Sequence, residues 1–204
     1  FSGNVSLNLG NDGTTLFKWN CQGDHGCDWS IALVENYTMQ EGEDNLLAQS
    51  GLFEPQAGKY YRIKNIGKSN YINENIGAND LNCEGKDAEK LSQYWTLVPS
   101  GNRWNIQNLC TQRYITQQNG ALSTQYRTTT SRTSTFSIER TDDAANLTYY
   151  ILDNGNIGLH CDGSNVVVGW GSSATNSVWG FEEVELDEAF IEEGRAKLNA
   201  YNDL

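Results

Sequence analysis

Much that would announce an activity is scarce in this sequence. Its 204 residues carry 14 Lys plus Arg against 26 Asp plus Glu, a formal net charge of -12, and the basic residues form no cluster. Nucleic-acid binders concentrate Lys and Arg where counterions must be displaced, so this balance argues against a phosphate-backbone ligand. No apolar run approaches the roughly 20 residues of a bilayer-spanning helix, which predicts a soluble chain without membrane insertion. Histidine occurs twice, at His25 and His160. Neither stands in a His-Glu-x-x-His motif, and Gly-x-Ser-x-Gly, phosphate-loop and dinucleotide-binding glycine patterns are missing. Carboxylate pairs such as Glu182-Glu183 fall in an acidic C-terminal stretch, where a solvated face is the default. A glycosidase needs two opposed carboxylates at a defined separation, and nothing here points to them. The expectation is a non-enzyme with no cofactor.

Cysteine is present in an odd number: Cys21, Cys27, Cys83, Cys110 and Cys161. Cys21 and Cys27 bracket five residues that include two glycines, a loop short and flexible enough for a disulfide. Asp24, His25 and Asp28 would also allow a metal loop, but no second Cys/His pair follows at zinc-site spacing, so the disulfide is the stronger reading. At least one of the other three thiols is free, buried or intermolecular. The chain begins at Phe1, which predicts a processed product whose leader is gone. A secreted, disulfide-bonded chain is the resulting expectation. Sequons at Asn4, Asn36 and Asn146 would make it a glycoprotein, although 23 Asn and 30 Ser plus Thr supply about that many by chance.

Self-similarity is the most informative feature. Tyr60-Tyr-Arg-Ile-Lys-Asn65, Arg103-Trp-Asn-Ile-Gln-Asn108 and Tyr149-Tyr-Ile-Leu-Asp-Asn154 align on their asparagines. About ten residues on, the first two continue as Asn70-Tyr-Ile-Asn73 and Arg113-Tyr-Ile-Thr116, and the third as the looser Gly158-Leu-His-Cys161. Each unit closes on an aromatic in a strand-like run, Trp95, Phe136 or Trp179. The intervening pattern is short alternating apolar runs divided by Gly, Asn, Asp and Ser, the signature of strands and turns. Asn119-Gly120 is a hairpin-turn signal. The repeats, about 59–100, 102–141 and 148–184, therefore predict an all-β domain over 58–184.

These residues resemble the ricin-type, or Gln-x-Trp, β-trefoil lectin family. The motif is intact in Gln93-Tyr94-Trp95 and degenerate in Ser134-Thr135-Phe136 and Ser177-Val178-Trp179. The resemblance implies a six-stranded barrel capped by three hairpins, with Trp95, Trp104, Phe136 and Trp179 in the core and Tyr61, Tyr71, Tyr114 and Tyr150 in the framework. It also implies a carbohydrate-binding module whose repeats can each supply an acid after the second strand, an aromatic on the third, and an Asn before the Gln-x-Trp. A sugar offers an apolar C–H face and a rim of hydroxyls, which suits an aromatic platform with planar hydrogen-bonding side chains. In the third repeat these positions fall to Asp162, Trp170 and Asn176, with His160 beside them. Gly169 and Gly171 favour an exposed Trp170 platform over a ring packed on the surface. The second repeat offers Thr116 or Gln117 in place of the acid and Tyr126 as a platform, with Thr133 where the Asn would stand, a partial site. The first has Asn73 and Glu74 at the acid position but Ser92 for the Asn, and its site is lost or used differently.

Outside the repeats, residues 1–57 contain three strand-like runs, Val5–Leu9, Thr15–Trp19 and Trp29–Val34, read as a β-rich arm packing on the trefoil. Residues 185–204 read as an amphipathic helix with Leu186, Phe190, Lys197/Leu198 and Tyr201 near one face. It either docks on its own domain or leads to a partner. Residues 181–204 hold eight acids against two bases, half of the net charge. The rest is nearly ordinary in charge, in keeping with neutral rather than acidic sugars. The competing function is a protein-interaction trefoil, such as a protease inhibitor or assembly subunit, using the arm or the helix.

Overall fold

A computed structural model of the chain describes residues 5–9, 16–20, 51–118, 125–143 and 146–202. The chain divides into two units, Phe1–Met39 and Gln40–Leu204. In the first, β1 (Val5–Leu9) and β2 (Leu16–Asn20) pair antiparallel, with Val5 opposite Asn20 and Leu9 opposite Leu16. The Cys21–Cys27 loop, the Trp29–Val34 run and the Asn119-Gly120 turn lie outside the described residues.

Among the described residues the second unit holds twelve strands, two short 3-10 turns and one α-helix. The first repeat holds β3 (Tyr60–Asn65), β4 (Asn70–Asn75), β5 (Asp80–Glu84) and β6 (Trp95–Ser100). In the second are β7 (Arg103–Asn108), β8 (Tyr114–Gln118), β9 (Gln125–Thr129) and β10 (Ser137–Arg140). The third comprises β11 (Thr148–Asn154), β12 (Ile157–Cys161), β13 (Val167–Gly171) and β14 (Val178–Val184). Pairing runs β3–β6–β7–β8–β9–β13–β12–β11–β14 and returns to β3, closing a nine-stranded ring. A shorter ring of β3, β6, β7, β10, β11 and β14 closes through the Trp104–Phe136 bridge. Closure removes the exposed edges that short strands otherwise leave. The hairpins β4–β5, β8–β9 and β12–β13 meet one another at Asp80–Arg127, Gln125–Val168 and Asn82–Val166.

Three cross-strand aromatic pairs set the barrel register: Tyr61 opposite Trp95, Trp104 opposite Phe136, and Tyr149 opposite Trp179. Trp95 and Trp179 are fully buried, and their indole Nε1 atoms donate to the Ile72 and Leu159 carbonyls at 3.1 and 2.8 Å. The third pair corrects the sequence alignment. Tyr149 is the buried residue, whereas Tyr150 is half-buried and faces Glu139 and Val178. The cause is a bulge between Leu152 and Asn154, which adds one residue between the buried Ile151 and the asparagine. Gly158 makes the bulge possible, since a Cβ there would stand 2.1 Å from the Ile151 carbonyl oxygen.

The repeated asparagine has a mechanical role. Asn65 and Asn108 are wholly buried. Asn65 donates through Nδ2 to the Asn176 carbonyl at 2.8 Å, and its Oδ1 accepts from the Lys68 N–H at 3.0 Å. Asn108 likewise donates to the Ser92 carbonyl at 2.8 Å and accepts from the Cys110 N–H at 2.9 Å. Each amide thus holds its own turn and also ties down the backbone that leads into the closing aromatic of the neighbouring repeat.

The C-terminal helix, α1 (Glu188–Asn202), is capped by Asp187, whose Oδ1 accepts from the Ala189 N–H at 2.9 Å. Its apolar face rests on the trefoil. Phe190, Ile191 and Leu198 pack with Leu91, Tyr94, Leu109 and Cys110, and the Tyr94 and Phe190 rings meet edge to face at 5.9 Å. Gly194 permits the close approach, because a Cβ would lie 2.4 Å from Leu91 Cδ2. Arg195 donates to the Leu109 carbonyl at 3.0 Å. Lys197, placed near the apolar face by periodicity, is exposed and pairs with Glu193 at 2.8 Å.

Gly158→Ala is expected to lower the free energy of unfolding by about 2 kcal/mol or more, through backbone collision at the bulge. Gly163→Ala, which meets no atom within 4 Å, should stay within about 0.5 kcal/mol. Guanidinium unfolding curves on the two variants check this.

Candidate functional site

Strand pairing lets the three hairpins be superposed position by position. Tyr71 stands opposite Glu84, Tyr114 opposite Thr129, and Gly158 opposite Trp170. Glu84, Thr129 and Trp170 are therefore equivalent, and only the third repeat puts an aromatic there. The same mapping aligns Asn73, Thr116 and His160 on the facing strands.

On the third hairpin, alternation sends Leu159, Cys161 and Val167 inward, where all three are buried, and turns His160, Val168 and Trp170 to the other face. Trp170 is 59% exposed, the most exposed large apolar side chain among the described residues. Gly158 directly opposite and Gly169 and Gly171 alongside leave its ring uncovered. The His160 imidazole lies beside it, with ring centroids 6.0 Å apart and planes inclined by 36°.

Ser177 decides what His160 can do. The serine Oγ lies 2.9 Å from the Gly171 carbonyl oxygen, which can only accept, so the single hydroxyl proton goes there. His160 Nδ1, 2.9 Å from the same Oγ, must then carry the proton and donate. In the neutral ring Nε2 is left bare, an acceptor beside the indole. Burial holds the imidazole below its ordinary pKa, with Lys68 acting in the same direction and Asp162 opposing.

The other expected residues are placed less centrally. Asp162 turns Oδ1 onto its own loop, where it accepts from the Ser164 and Val166 N–H groups at 2.8 and 2.9 Å. Lys68 closes over that loop by donating to the Asp162 carbonyl and to Asn165 Oδ1, the latter at 2.8 Å. The Asn176 side chain faces the neighbouring repeat, with Oδ1 where a Cβ on Gly67 would stand 2.4 Å away. The structure thus gathers His160, Trp170 and Ser177, with Asp162 and Asn176 at the margins.

Ser177 was not among the sequence candidates, although its place in the motif was a signal. In the first repeat the motif glutamine, Gln93, donates to the Gly85 carbonyl at 2.8 Å. Gly85 follows Glu84 as Gly171 follows Trp170, so Ser177 performs the glutamine's task with a shorter side chain and leaves a lone pair for His160.

The remaining repeats differ. Tyr126 is 1% exposed, with its ring 5.9 Å from that of Phe136 and its hydroxyl 3.3 Å from Asp153 Oδ2. It occupies the core position of Leu81 and Val167, so it offers no platform. Gln117 is half-buried opposite Tyr126, and its backbone N–H donates to Ser134 Oγ at 2.9 Å. In the first repeat the Glu84 carboxylate is held by Asn82 Nδ2 at 2.7 Å, Asn73 Nδ2 at 3.3 Å and Lys90. Asn73, Glu84 and Lys90 line a cleft of about 390 Å³ that Gly194, Lys197 and Leu198 of α1 roof. Nearby Glu74 is buried, accepts from Thr111 and Thr128 hydroxyls at 2.6 and 2.5 Å, and has its carboxyl pushed up by desolvation.

The His160 assignment is testable by nitrogen-15 NMR. At pH 7.5 the ring should carry its proton on Nδ1 and titrate below the ordinary 6.5. Since the folded ring protonates less readily than the unfolded one, its contribution to stability falls as pH drops through 6.5. Ser177→Ala should release the lock and populate the Nε2–H tautomer.

No protein-family model matches the sequence, and no curated protein matches it. Solved structures do resemble it. The Macrolepiota procera ricin B-like lectin in complex with lactose matches at 16% identity and a TM-score of 0.58, over 65% of this chain and 100% of that one. The Polyporus squamosus lectin bound to the epitope Neu5Aca2-6Galb1-4GlcNAc matches at 17% and 0.52, over 64% of this chain and 50% of that one. A GlcNAcα1-4Gal-releasing endo-β-galactosidase from Clostridium perfringens matches at 13% and 0.53, over 63% of this chain and 33% of that one. At such identities the likeness speaks for the fold alone, which is the β-trefoil that the ricin B-like lectin also has.

Proposed function

We propose that the trefoil is a non-catalytic, lectin-like carbohydrate-binding module whose working site is the outer face of the third hairpin. One observation carries this reading: an uncovered Trp170 stands beside an imidazole that Ser177 holds in a single tautomer. The indole suits the C–H face of a pyranose, and His160 Nε2 suits one of its hydroxyl protons.

Two features support a neutral sugar. Lys68, the neighbouring cation, is turned onto carbonyl oxygens, and the nearest carboxylate is Asp162. Among the described residues, an anionic sugar would meet Asp162 and a lysine already engaged by the loop. The non-catalytic reading rests on the groups around Trp170, an imidazole and an aliphatic side chain rather than two opposed carboxylates. The lectins of this fold mentioned above bind lactose or a sialylated glycan, which supports glycans as the ligand class. The reading carries with it an extracellular setting, where such glycans are displayed. A single open platform binds weakly, so useful avidity would need several copies on one glycan surface. A protein-interaction role gains little from α1, whose apolar face is already covered by its own domain.

A glycan array probed with the chain and with Trp170→Ala tests the proposal. Neutral, galactose- or glucose-type glycans should bind, and the substitution should weaken them at least tenfold, equivalent to about 1.4 kcal/mol. Silence of both proteins across the array would sink the reading, as would binding that survives the loss of Trp170.

A further inference from the structure

The cap of the trefoil has three seams, one between each pair of hairpins, and strand register assigns the residues that face across them. Ile72 stands opposite Cys83, Ile115 opposite Thr128 and Leu159 opposite Gly169, which makes Cys83, Thr128 and Gly169 equivalent. Glu74 opposite Leu81, Gln117 opposite Tyr126 and Cys161 opposite Val167 form the second equivalent set, Glu74, Gln117 and Cys161. At the seam between the second and first hairpins, Thr128 Oγ1 donates to Glu74 Oε1 at 2.5 Å. The corresponding residues between the first and third hairpins are Cys83 and Cys161.

Both are free thiols in the structure, carried on neighbouring strands of this seam. Both residues are buried in the main core, 3% and 0% exposed. The strands that carry them are brought together by the Cys83 N–H donating to the Asn165 carbonyl at 2.7 Å and by the Asn82–Val166 bridge. Cys161 Sγ lies 3.9 Å from Asn70 Nδ2. Each thiol feels the other, the Cys83 thiol being pushed up and the Cys161 thiol drawn down. Cys110 sits apart, packed with Leu91, Tyr94 and α1.

We propose that Cys83 and Cys161 are joined by a disulfide when the chain folds under oxidising conditions, making a covalent seam between the first hairpin and the hairpin that carries Trp170. The oxidant is a small or protein disulfide. The Cys161 thiolate attacks one of its sulfurs, forming a mixed disulfide and releasing the first reduced thiol. Cys83 then gives up its proton and attacks the Cys161 sulfur, expelling the second. Two thiols are oxidised and one disulfide is reduced, so electrons and protons balance. The seam that Thr128 and Glu74 hold by a hydrogen bond would here be held by a bond that closes a long loop, and long loops constrain the unfolded chain most.

The test is to refold the full chain from guanidinium in a buffer of oxidised and reduced glutathione, denature it, alkylate without reductant and map the peptides by mass spectrometry. The Cys83 and Cys161 peptides should be recovered linked to each other in most molecules, with Cys110 alkylated. Recovery of Cys83 and Cys161 as separate alkylated peptides would overturn the proposal, as would linkage of either to another cysteine. Thermal melting adds a second readout in a Cys21→Ser/Cys27→Ser background. Reductant should lower the midpoint by about 5–10 °C, and this shift should vanish when Cys83→Ala and Cys161→Ala are added. A shift that persists in that variant also counts against the bond.

Discussion

Each repeat sets an aromatic on its first strand directly opposite the aromatic that closes it: Tyr61 with Trp95, Trp104 with Phe136, Tyr149 with Trp179. These pairs supply the large apolar surfaces that a closed barrel of short strands needs at its centre, and Phe181 extends the contact with edge-on approaches to Tyr61 and Tyr149 at 5.5 and 5.7 Å. A one-residue slip in any pair would turn the whole strand inside out. The rest of the domain is organised around that constraint. The buried asparagines Asn65 and Asn108 hold the turns that follow, and the bulge after Ile151 lets the third repeat keep its pair despite an additional residue.

With the register held, each hairpin presents the same slots, and the side chains in them have diverged. The slot that holds Trp170 holds Glu84 in the first repeat and Thr129 in the second. Glu84 is satisfied by two asparagines and Lys90 beneath α1, so that position has become part of a polar packing network. Trp170 has no comparable cover. The seams show the same divergence, with a hydroxyl–carboxylate hydrogen bond at one and two thiols at another. Symmetry of backbone and asymmetry of side chains together leave Trp170 of the third hairpin as the most exposed large apolar side chain among the described residues.

Several of these features could be read before any coordinates. The closing aromatics recur at intervals of 41 and 43 residues, and the strands between them alternate with Gly, Asn and Asp turns, which was enough for an all-β domain of three repeats; the trefoil was what the resemblance to the Gln-x-Trp family implied. The exposure of Trp170 was also legible, because glycine on either side leaves an aromatic without neighbours. Tyr126 was misplaced since a ring on a third strand looks alike whether it faces in or out, and only the pairing of Gln117 with Tyr126 settles its face. Tyr150 was chosen over Tyr149 because an alignment anchored on asparagine cannot see a bulge. On the helix, periodicity found Phe190 and Leu198 but not Gly194, whose role depends on Leu91 lying across from it.

The sequence by itself determined the repeat, its period and the chemical types at the closing positions, because these are local patterns that recur along the chain. Only the tertiary structure decided which residues face one another across repeats. The proton on His160 depends on a serine seventeen residues away and a carbonyl on a third element, the first-repeat slot depends on a helix from the far end of the chain, and the strands of Cys83 and Cys161 become neighbours only once the barrel has closed. Such contacts follow from chain closure, which brings distant residues to within a few ångströms, and no local pattern records that distance.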